Sequence, residues 1–192
     1  MASKKIQSAL ISVYDKDGLS PIIRLLDEIG VKLYSTGGTK SFIESLNVAC
    51  TSVESITNYP SIFGGRVKTL HPMVFGGILN RRDHEEDQIE KEQHNIPDLD
   101  LVIVDLYPFE ETVRSGASDE EIIEKIDIGG IALLRAAAKN YKDVLVISSK
   151  NQYNDIENIL KVKTGITDIE DRRLFATKAF DITSNYDTAI YH

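Results

Sequence analysis

Apolar positions along this chain fall into short continuous runs that alternate with longer stretches of helical spacing. The run 9–13 is typical of a buried strand, and the stretch 16–29 repeats apolar residues every three or four positions until Gly30 ends it. The same pattern predicts further strands over 31–35, 49–53, 99–106 and 144–147, and further helices over 39–46, 81–94, 118–125, 131–139 and from 152 onward. The segment 56–80 contains two glycine pairs and is predicted to be irregular.

Strands that alternate with helices predict an α/β fold, a parallel sheet with helices on both faces. Residues 101–104 read Leu-Val-Ile-Val, which is apolar without alternation and typical of a strand that is buried on both faces. A length of 192 residues suits one domain with a sizeable core. In sheets of this kind, ligands bind outside the carboxyl ends of the strands.

Composition narrows the classes of partner. The chain has 22 Lys and Arg against 30 Asp and Glu, a net charge of −8, which argues against a nucleic-acid polymer or an anionic membrane as partner. A small anion needs only a few local cations and stays compatible with this charge. Cys50 is the single cysteine, so no intramolecular disulfide forms, and we expect a cytoplasmic protein from a reducing compartment.

Polar motifs follow three of the predicted strands. Residues 12–16 follow the first strand, residues 36–39 follow the second, and Tyr107 follows the strand at 99–106. Because the carboxyl ends of parallel strands share one edge of a sheet, we expect these segments to converge. Thr36-Gly37-Gly38-Thr39 also joins a strand to a helix, where backbone N–H groups bind anions; the alternative is a tight turn with a threonine cap.

Two further segments contain groups suited to a phosphorylated small molecule. Arg66 and Lys68 are two residues apart, so an extended backbone points both to one side, although a solvated basic edge is an equal alternative. Asp127 precedes a glycine pair and equally suits a helix cap, as Lys139 suits a helix carboxyl end. The four histidines and one cysteine show no metal-ligand spacing, and we expect a pocket with neither metal nor cofactor.

Several of these motifs together resemble a known family. Segments 12–16, 37–39, 64–72, 106–109 and 126–140 are similar to the IMP cyclohydrolase domain, the amino-terminal part of the bifunctional AICAR transformylase/IMP cyclohydrolase. The resemblance runs from about residue 6 to residue 191, and the stretches 66–72 and 127–140 are its most specific parts.

The resemblance implies a methylglyoxal-synthase-like fold, a homodimer, and a single IMP cyclohydrolase domain over residues 1–192 without the transformylase domain. The implied reaction is the last step of de novo purine biosynthesis, the ring closure of formyl-AICAR to IMP with loss of water. The residues implied as catalytic are Lys68, Tyr107, Asp127 and Lys139. Those implied to bind the nucleotide, with the glycine loop near its phosphate, are Ser12, Val13, Lys16, Thr36, Gly37, Gly38, Thr39, Arg66, Val67, Thr69, Asp105 and Gly129.

Two features of the chain do not fit the resemblance directly: the residue at position 105 and the distance between Asp127 and Lys139. The family usually has asparagine where this chain has Asp105, and an ionised carboxylate accepts hydrogen bonds but does not donate them. A straight helix from Asp127 to Lys139 would separate the two by roughly 18 Å. We therefore expect either a turn over 127–130 that folds back, or a site to which both subunits of a dimer contribute.

Two other functions are weighed against the cyclohydrolase. Methylglyoxal synthase would share the presumed fold and needs a phosphate pocket with a carboxylate base, but the motif at 66–72 speaks against it. A regulatory module that binds a nucleotide without catalysis is the alternative from another class. Loss of IMP formation in a Lys68 variant separates an enzyme from such a module.

Overall fold

A computed structural model describes residues 3–192; Met1 and Ala2, where the predicted domain begins, lie outside the described residues. The central sheet has five parallel strands in the order β4-β3-β2-β5-β6. A separate antiparallel pair joins β1 to β7. The strands are β1 (Lys4–Lys5), β2 (Ser8–Ser12), β3 (Lys32–Ser35), β4 (Thr51–Ser52), β5 (Leu101–Val104), β6 (Leu145–Ile147) and β7 (Ile166–Thr167).

Helices surround this sheet and confirm the predicted α/β fold class. Helices α8, α10 and α4 pack together beside β5 and β6, whereas α1 and α9 pack against each other. The helices are α1 (Leu19–Glu28), α2 (Gly37–Ser45), α3 (Val53–Thr57), α4 (Pro72–Leu79), α5 (Glu85–Gln93), α6 (Phe109–Arg114), α7 (Asp119–Ile123), α8 (Gly129–Lys139), α9 (Tyr153–Val162) and α10 (Ile169–Tyr191). None of these helices combines the length and apolarity that a membrane crossing requires.

The core is built where the sequence pattern places it. All four residues of β5 are buried, as are the apolar residues of β2 and β6 that flank it. Helix α1 buries the face formed by Leu19, Ile22, Ile23 and Leu26, the spacing that predicted it. A continuous apolar core therefore supports β2, β3 and β5, the strands whose carboxyl ends carry the polar motifs.

The prediction that residues 56–80 are irregular is wrong at its end, because α4 occupies Pro72–Leu79. Pro72 suits the first turn of a helix, and His71 Nδ1 accepts the N–H of Met73 at 3.2 Å. The Gly76-Gly77 pair that suggested a loop instead allows close packing. A Cβ at Gly77 would lie 2.5 Å from the carbonyl oxygen of Pro97.

Element boundaries also differ from the predictions near residues 49 and 81. The strand predicted over 49–53 is reduced to β4, since α3 begins at Val53 with the Ser52 side chain accepting the N–H of Ser55. The helix predicted over 81–94 begins only at Glu85. The Asp87 carboxylate accepts the backbone N–H of Arg81 at 2.8 Å and so holds the preceding residues in a turn.

Candidate active site

A cavity of about 550 Å³ lies at the carboxyl edge of the central sheet. We call it the main cavity. The loops that follow β2, β3 and β5 all contribute to it, as the parallel arrangement predicted. Segments 64–69 and 123–130 complete its wall. Predicted site residues that line it are Ser12, Val13, Lys16, Thr36, Gly38, Thr39, Arg66, Lys68, Thr69, Asp105, Tyr107, Asp127 and Gly129.

One end of the main cavity is formed where the loop after β2 is tied to the start of α2. The Thr39 hydroxyl donates to the carbonyl oxygen of Val13 at 2.9 Å and accepts its N–H at 3.2 Å. Lys16 Nζ donates to the carbonyl oxygens of Val13 at 3.1 Å and Tyr14 at 2.8 Å. A Cβ on Gly38 would lie 3.9 Å from this ammonium, so a cation sits beside the first turn of a helix, an arrangement suited to an anion.

Asp105 holds the same loop from the end of β5. One carboxylate oxygen accepts the N–H of Tyr14, and the other accepts the N–H of Asp15 at 3.0 Å. Burial raises the pKa of Asp105, and the two backbone N–H groups oppose that shift. Both oxygens are thus engaged with backbone, so the carboxylate shapes the cavity wall through the loop.

Lys68, Tyr107 and Asp127 all line the main cavity, where the Lys68 charge acts on the Asp127 carboxyl and the Asp127 charge acts on the Tyr107 phenol. Asp127 Oδ1 accepts the N–H of Gly130 at 2.6 Å, which is the helix-cap contact considered from the sequence. Burial raises the pKa of Asp127, while N–H groups of Gly130 and Tyr107 and the charge of Lys68 oppose the rise. Burial, followed by the Asp127 charge, also raises the pKa of the Tyr107 phenol. A carboxyl group, a phenol and an ammonium therefore share one wall.

Tyr186 on α10 fixes the loop that carries Asp127, and the sequence reasoning missed it. Its hydroxyl donates to the carbonyl oxygen of Lys125 at 2.8 Å and accepts the N–H of Asp127 at 2.8 Å. The ring also packs edge-on against Phe109, with centroids 6.3 Å apart. No local pattern signals this contact, because it joins residues about sixty positions apart in the chain.

Tyr14 and Lys125 also line the main cavity and were not among the predicted site residues. The Tyr14 and Tyr107 rings meet edge to face, with centroids 5.4 Å apart and planes at 82°. Lys125 Nζ lies 5.3 Å from the Tyr14 centroid and 5.7 Å from the Tyr107 centroid. The Tyr107 ring is therefore positioned by an aromatic neighbour and a cation.

The segment 66–69 contributes Arg66, Lys68 and Thr69 to the cavity, but Arg66 has helical φ and ψ of −65° and −25°, so the extended backbone predicted from the spacing is wrong at that residue. Arg66 and Lys68 line it, and Arg66 reaches across to Glu124 at 3.5 Å with both side chains exposed. Val67 is absent from the lining and instead borders a neighbouring groove of about 280 Å³. Val67 is therefore a correction to the predicted binding set.

Gly37 and Lys139 are the other predicted site residues that do not line the main cavity. Gly37 begins α2 with φ of 46° and is exposed. Lys139 is exposed at the last residue of α8, whose first residue, Gly129, lines the cavity. The helix is continuous, so Lys139 lies roughly 15 Å along its axis from that end. Within one chain, Asp127 and Lys139 therefore lie towards opposite ends of α8, and a site to which two subunits contribute stays a prediction.

The donor set of the site contains no evident metal centre. Among residues 3–192, no group of three or more His, Cys, Asp or Glu is placed to hold a metal ion. The groups around the main cavity are instead hydroxyls, backbone N–H groups, ammonium groups and separated carboxylates. This chemistry suits hydrogen bonding to a polar, anionic organic ligand and proton transfer within it.

Two family models match the chain and confirm the resemblance found in its motifs. The model described as the MGS-like domain matches residues 18–132. The model described as the AICARFT/IMPCHase bienzyme matches residues 137–192. The first match covers the loops after β3 and β5 together with the segment 123–130, and the second begins within α8.

Individual proteins give the same picture. The chain is 57% identical over 190 residues to the "Bifunctional purine biosynthesis protein PurH" of Bacteroides thetaiotaomicron, covering 99% of this chain and 38% of that protein. The protein of the same name from Rhodopirellula baltica is 48% identical over 186 residues, which is 96% of this chain and 35% of the relative. The chain thus spans little more than a third of these curated relatives.

A solved structure supports the fold independently. The structure described as "Crystal structure of ForH" superposes with a TM-score of 0.82 at 32% sequence identity. The match covers 96% of this chain and 95% of that one. The two chains therefore share one fold over nearly their whole length.

Proposed function

Because the chain belongs to the MGS-like domain family, with the AICARFT/IMPCHase bienzyme model matching its remaining part, we propose that it is an enzyme of purine biosynthesis. More specifically, we propose an IMP cyclohydrolase that closes the ring of formyl-AICAR to IMP with loss of water. The observation that carries this proposal is the meeting of Lys68, Tyr107 and Asp127 in one cavity with the loops after β2 and β3.

The nucleotide phosphate would lie at the start of α2. Backbone N–H groups of the first helical turn point out of the helix, and the Lys16 ammonium lies beside Gly38. Thr36 and Thr39 line the same end, although the Thr39 hydroxyl is already engaged with Val13. This placement leaves the opposite wall for the base of the nucleotide.

Ring closure needs both charge stabilisation and proton transfer. The carboxamide nitrogen attacks the formyl carbon, a C–N bond forms, and the formyl oxygen gains negative charge. That oxygen leaves as water after taking one proton from the attacking nitrogen and one from the former formylamide nitrogen. A cation placed at the developing oxyanion and a group that relays protons are therefore the required parts.

Lys68, Tyr107 and Asp127 supply those parts in the proposed mechanism. The raised pKa of Asp127 makes its carboxylate a stronger base than an exposed aspartate, which suits it to take a proton from the attacking nitrogen. The ammonium of Lys68 offers charge to the oxyanion, and the Tyr107 phenol, whose pKa is raised, remains protonated and donates a hydrogen bond. The reaction moves no electrons and no phosphoryl group, so the chemistry calls for proton transfer and charge stabilisation.

Lys139 enters the proposed mechanism from the second subunit of a homodimer. Its position at the far end of α8 keeps it away from the main cavity of its own chain. The active unit we propose is therefore a homodimer in which each cyclohydrolase domain supplies Lys139 to its partner, located in the cytoplasm. Burial raises the pKa of the half-buried Cys50 thiol to about 11, so the thiol stays protonated. A protonated thiol is inert, which fits a protein that needs no disulfide.

The test is a spectrophotometric assay for IMP formation from formyl-AICAR. We expect turnover by the wild-type protein and a loss of about 100-fold or more in kcat for Lys68→Ala, the scale of removing one group that stabilises an oxyanion. Lys142→Ala is the matched control, because Lys142 is exposed and lies outside the main cavity. Binding of IMP without turnover would favour a regulatory module, and methylglyoxal from dihydroxyacetone phosphate would favour the synthase.

A further inference from the structure

Lys125 is a cation in the main cavity to which the proposed mechanism assigns no role. Its ammonium faces the Tyr14 and Tyr107 rings at 5.3 and 5.7 Å from their centroids. Its backbone is held by the Tyr186 hydroxyl, which donates to the carbonyl oxygen of Lys125 at 2.8 Å. Both ends of the residue are thus positioned, the main chain by a hydrogen bond and the ammonium by two aromatic neighbours.

The other cations that line the main cavity already have polar partners. Lys16 donates to two carbonyl oxygens, Arg66 pairs with Glu124, and Lys68 acts electrostatically on Asp127. Within the described part of the chain, the Lys125 ammonium forms neither an ion pair nor a hydrogen bond, and its recorded contacts are with the two rings. An ammonium beside rings, at the wall of a cavity, offers its N–H donors to a ligand.

We propose that Lys125 is a further ligand-binding residue, whose ammonium contacts an oxygen atom at the reacting end of the nucleotide. The contact with Tyr107 places the ammonium beside the predicted chemistry. Its hydrogen bond would also bring a second positive charge, besides that of Lys68, to the part of the cavity where Tyr107 and Asp127 lie. This inference rests on the proposed function, since the reacting end is defined by that reaction.

The position of Lys125 relative to the phosphate end makes the proposal testable with two ligands. IMP contains both the phosphate and the base, whereas ribose 5-phosphate contains only the sugar phosphate. A residue that serves the reacting end should affect the first ligand and spare the second. A cation that acts through general charge, or at the phosphate, should affect both alike.

Affinities should be measured for the wild type, Lys125→Met, Lys125→Arg and Lys142→Met, with IMP by titration calorimetry and ribose 5-phosphate by competition. We expect Lys125→Met to weaken IMP binding about tenfold, equivalent to ~1.4 kcal/mol, with ribose 5-phosphate binding unchanged. Lys125→Arg should retain IMP binding within about threefold, because guanidinium also stacks on aromatic rings and donates hydrogen bonds. Lys142→Met should match the wild type with both ligands.

Three results would overturn the assignment. Lys125→Met could bind IMP as tightly as the wild type, it could lose affinity for both ligands equally, or Lys125→Arg could bind as poorly as Lys125→Met. Thermal unfolding of each variant excludes a loss of folded protein as the cause of weaker binding. A wild-type protein that binds IMP but does not form it contradicts the proposed function alone, whereas one that binds no IMP contradicts both.

Discussion

Removing one hydroxyl from α10 should loosen the wall of the active site without touching the cavity. Tyr186→Phe deletes the group that accepts the N–H of Asp127 and donates to the carbonyl oxygen of Lys125, each at 2.8 Å. The phenylalanine ring keeps the edge-on contact with Phe109, so packing is retained while two backbone groups lose their partner. The substitution therefore isolates the two hydrogen bonds.

The expected magnitude follows from those two bonds. Each neutral hydrogen bond contributes ~1 kcal/mol net, so Tyr186→Phe should lower the free energy of unfolding by about 2 kcal/mol. With an m-value of ~2 kcal/mol per M, the urea midpoint should fall by roughly 1 M. Because Asp127 and Lys125 lie on the released loop, kcat for IMP formation should fall about tenfold as their geometry relaxes.

Tyr191→Phe is the matched control for this prediction. It makes the same change on the same helix at a residue that is 84% exposed, so both the urea midpoint and kcat should equal the wild-type values. If Tyr186→Phe has the same urea midpoint and the same kcat as Tyr191→Phe, the Tyr186 hydroxyl does not hold the loop. The proposed positioning of Asp127 is then refuted.

Two further predictions concern the loop after β2 and the proposed dimer. Burial raises the pKa of Asp105 in the folded protein. The free energy of unfolding of the wild type should therefore fall as pH rises from about 4 through that raised pKa, because the buried carboxyl must ionise. Asp105→Asn should not show this fall in stability and should keep measurable activity. Urea unfolding of both proteins across this pH range measures the effect. A wild type that becomes more stable than Asp105→Asn as pH rises, or an Asp105→Asn protein without activity, would contradict the prediction. Mixing inactive Lys68→Ala and Lys139→Ala proteins should restore about a quarter of wild-type activity, since about half the dimers are mixed and each has one intact site. No recovery after subunit exchange would show that one chain supplies both lysines or that Lys139 is dispensable.

The fold and the location of the site were accessible from local pattern. The run Leu-Val-Ile-Val predicted β5 because a strand buried on both faces needs no polar positions. Parallel strands then required the polar segments after β2, β3 and β5 to share an edge, and the main cavity lies there. The length of a straight helix from Asp127 to Lys139 likewise indicated a separation of roughly 18 Å, which left a turn that folds back or a dimeric site as the ways to bring the two together.

What the pattern did not predict depends on contacts between distant parts of the chain. Gly76 and Gly77 read as loop residues, yet α4 needs them because Ile96 and Pro97 approach its backbone closely. The roles of Tyr186 and Lys125 arise only when α10 packs beside the loop before α8. Local sequence shows neither approach, because tertiary packing overrides propensity at these positions.

The central claim is that one cavity binds the nucleotide with its phosphate at the start of α2 and its base beside Lys68, Tyr107 and Asp127. A crystal structure of the wild-type protein with IMP tests this most directly. The account predicts phosphate oxygens within hydrogen-bond distance of backbone N–H groups at Gly38 and Thr39, with the base against Tyr107. IMP bound in another cavity, or with its phosphate beside Asp127, would contradict it.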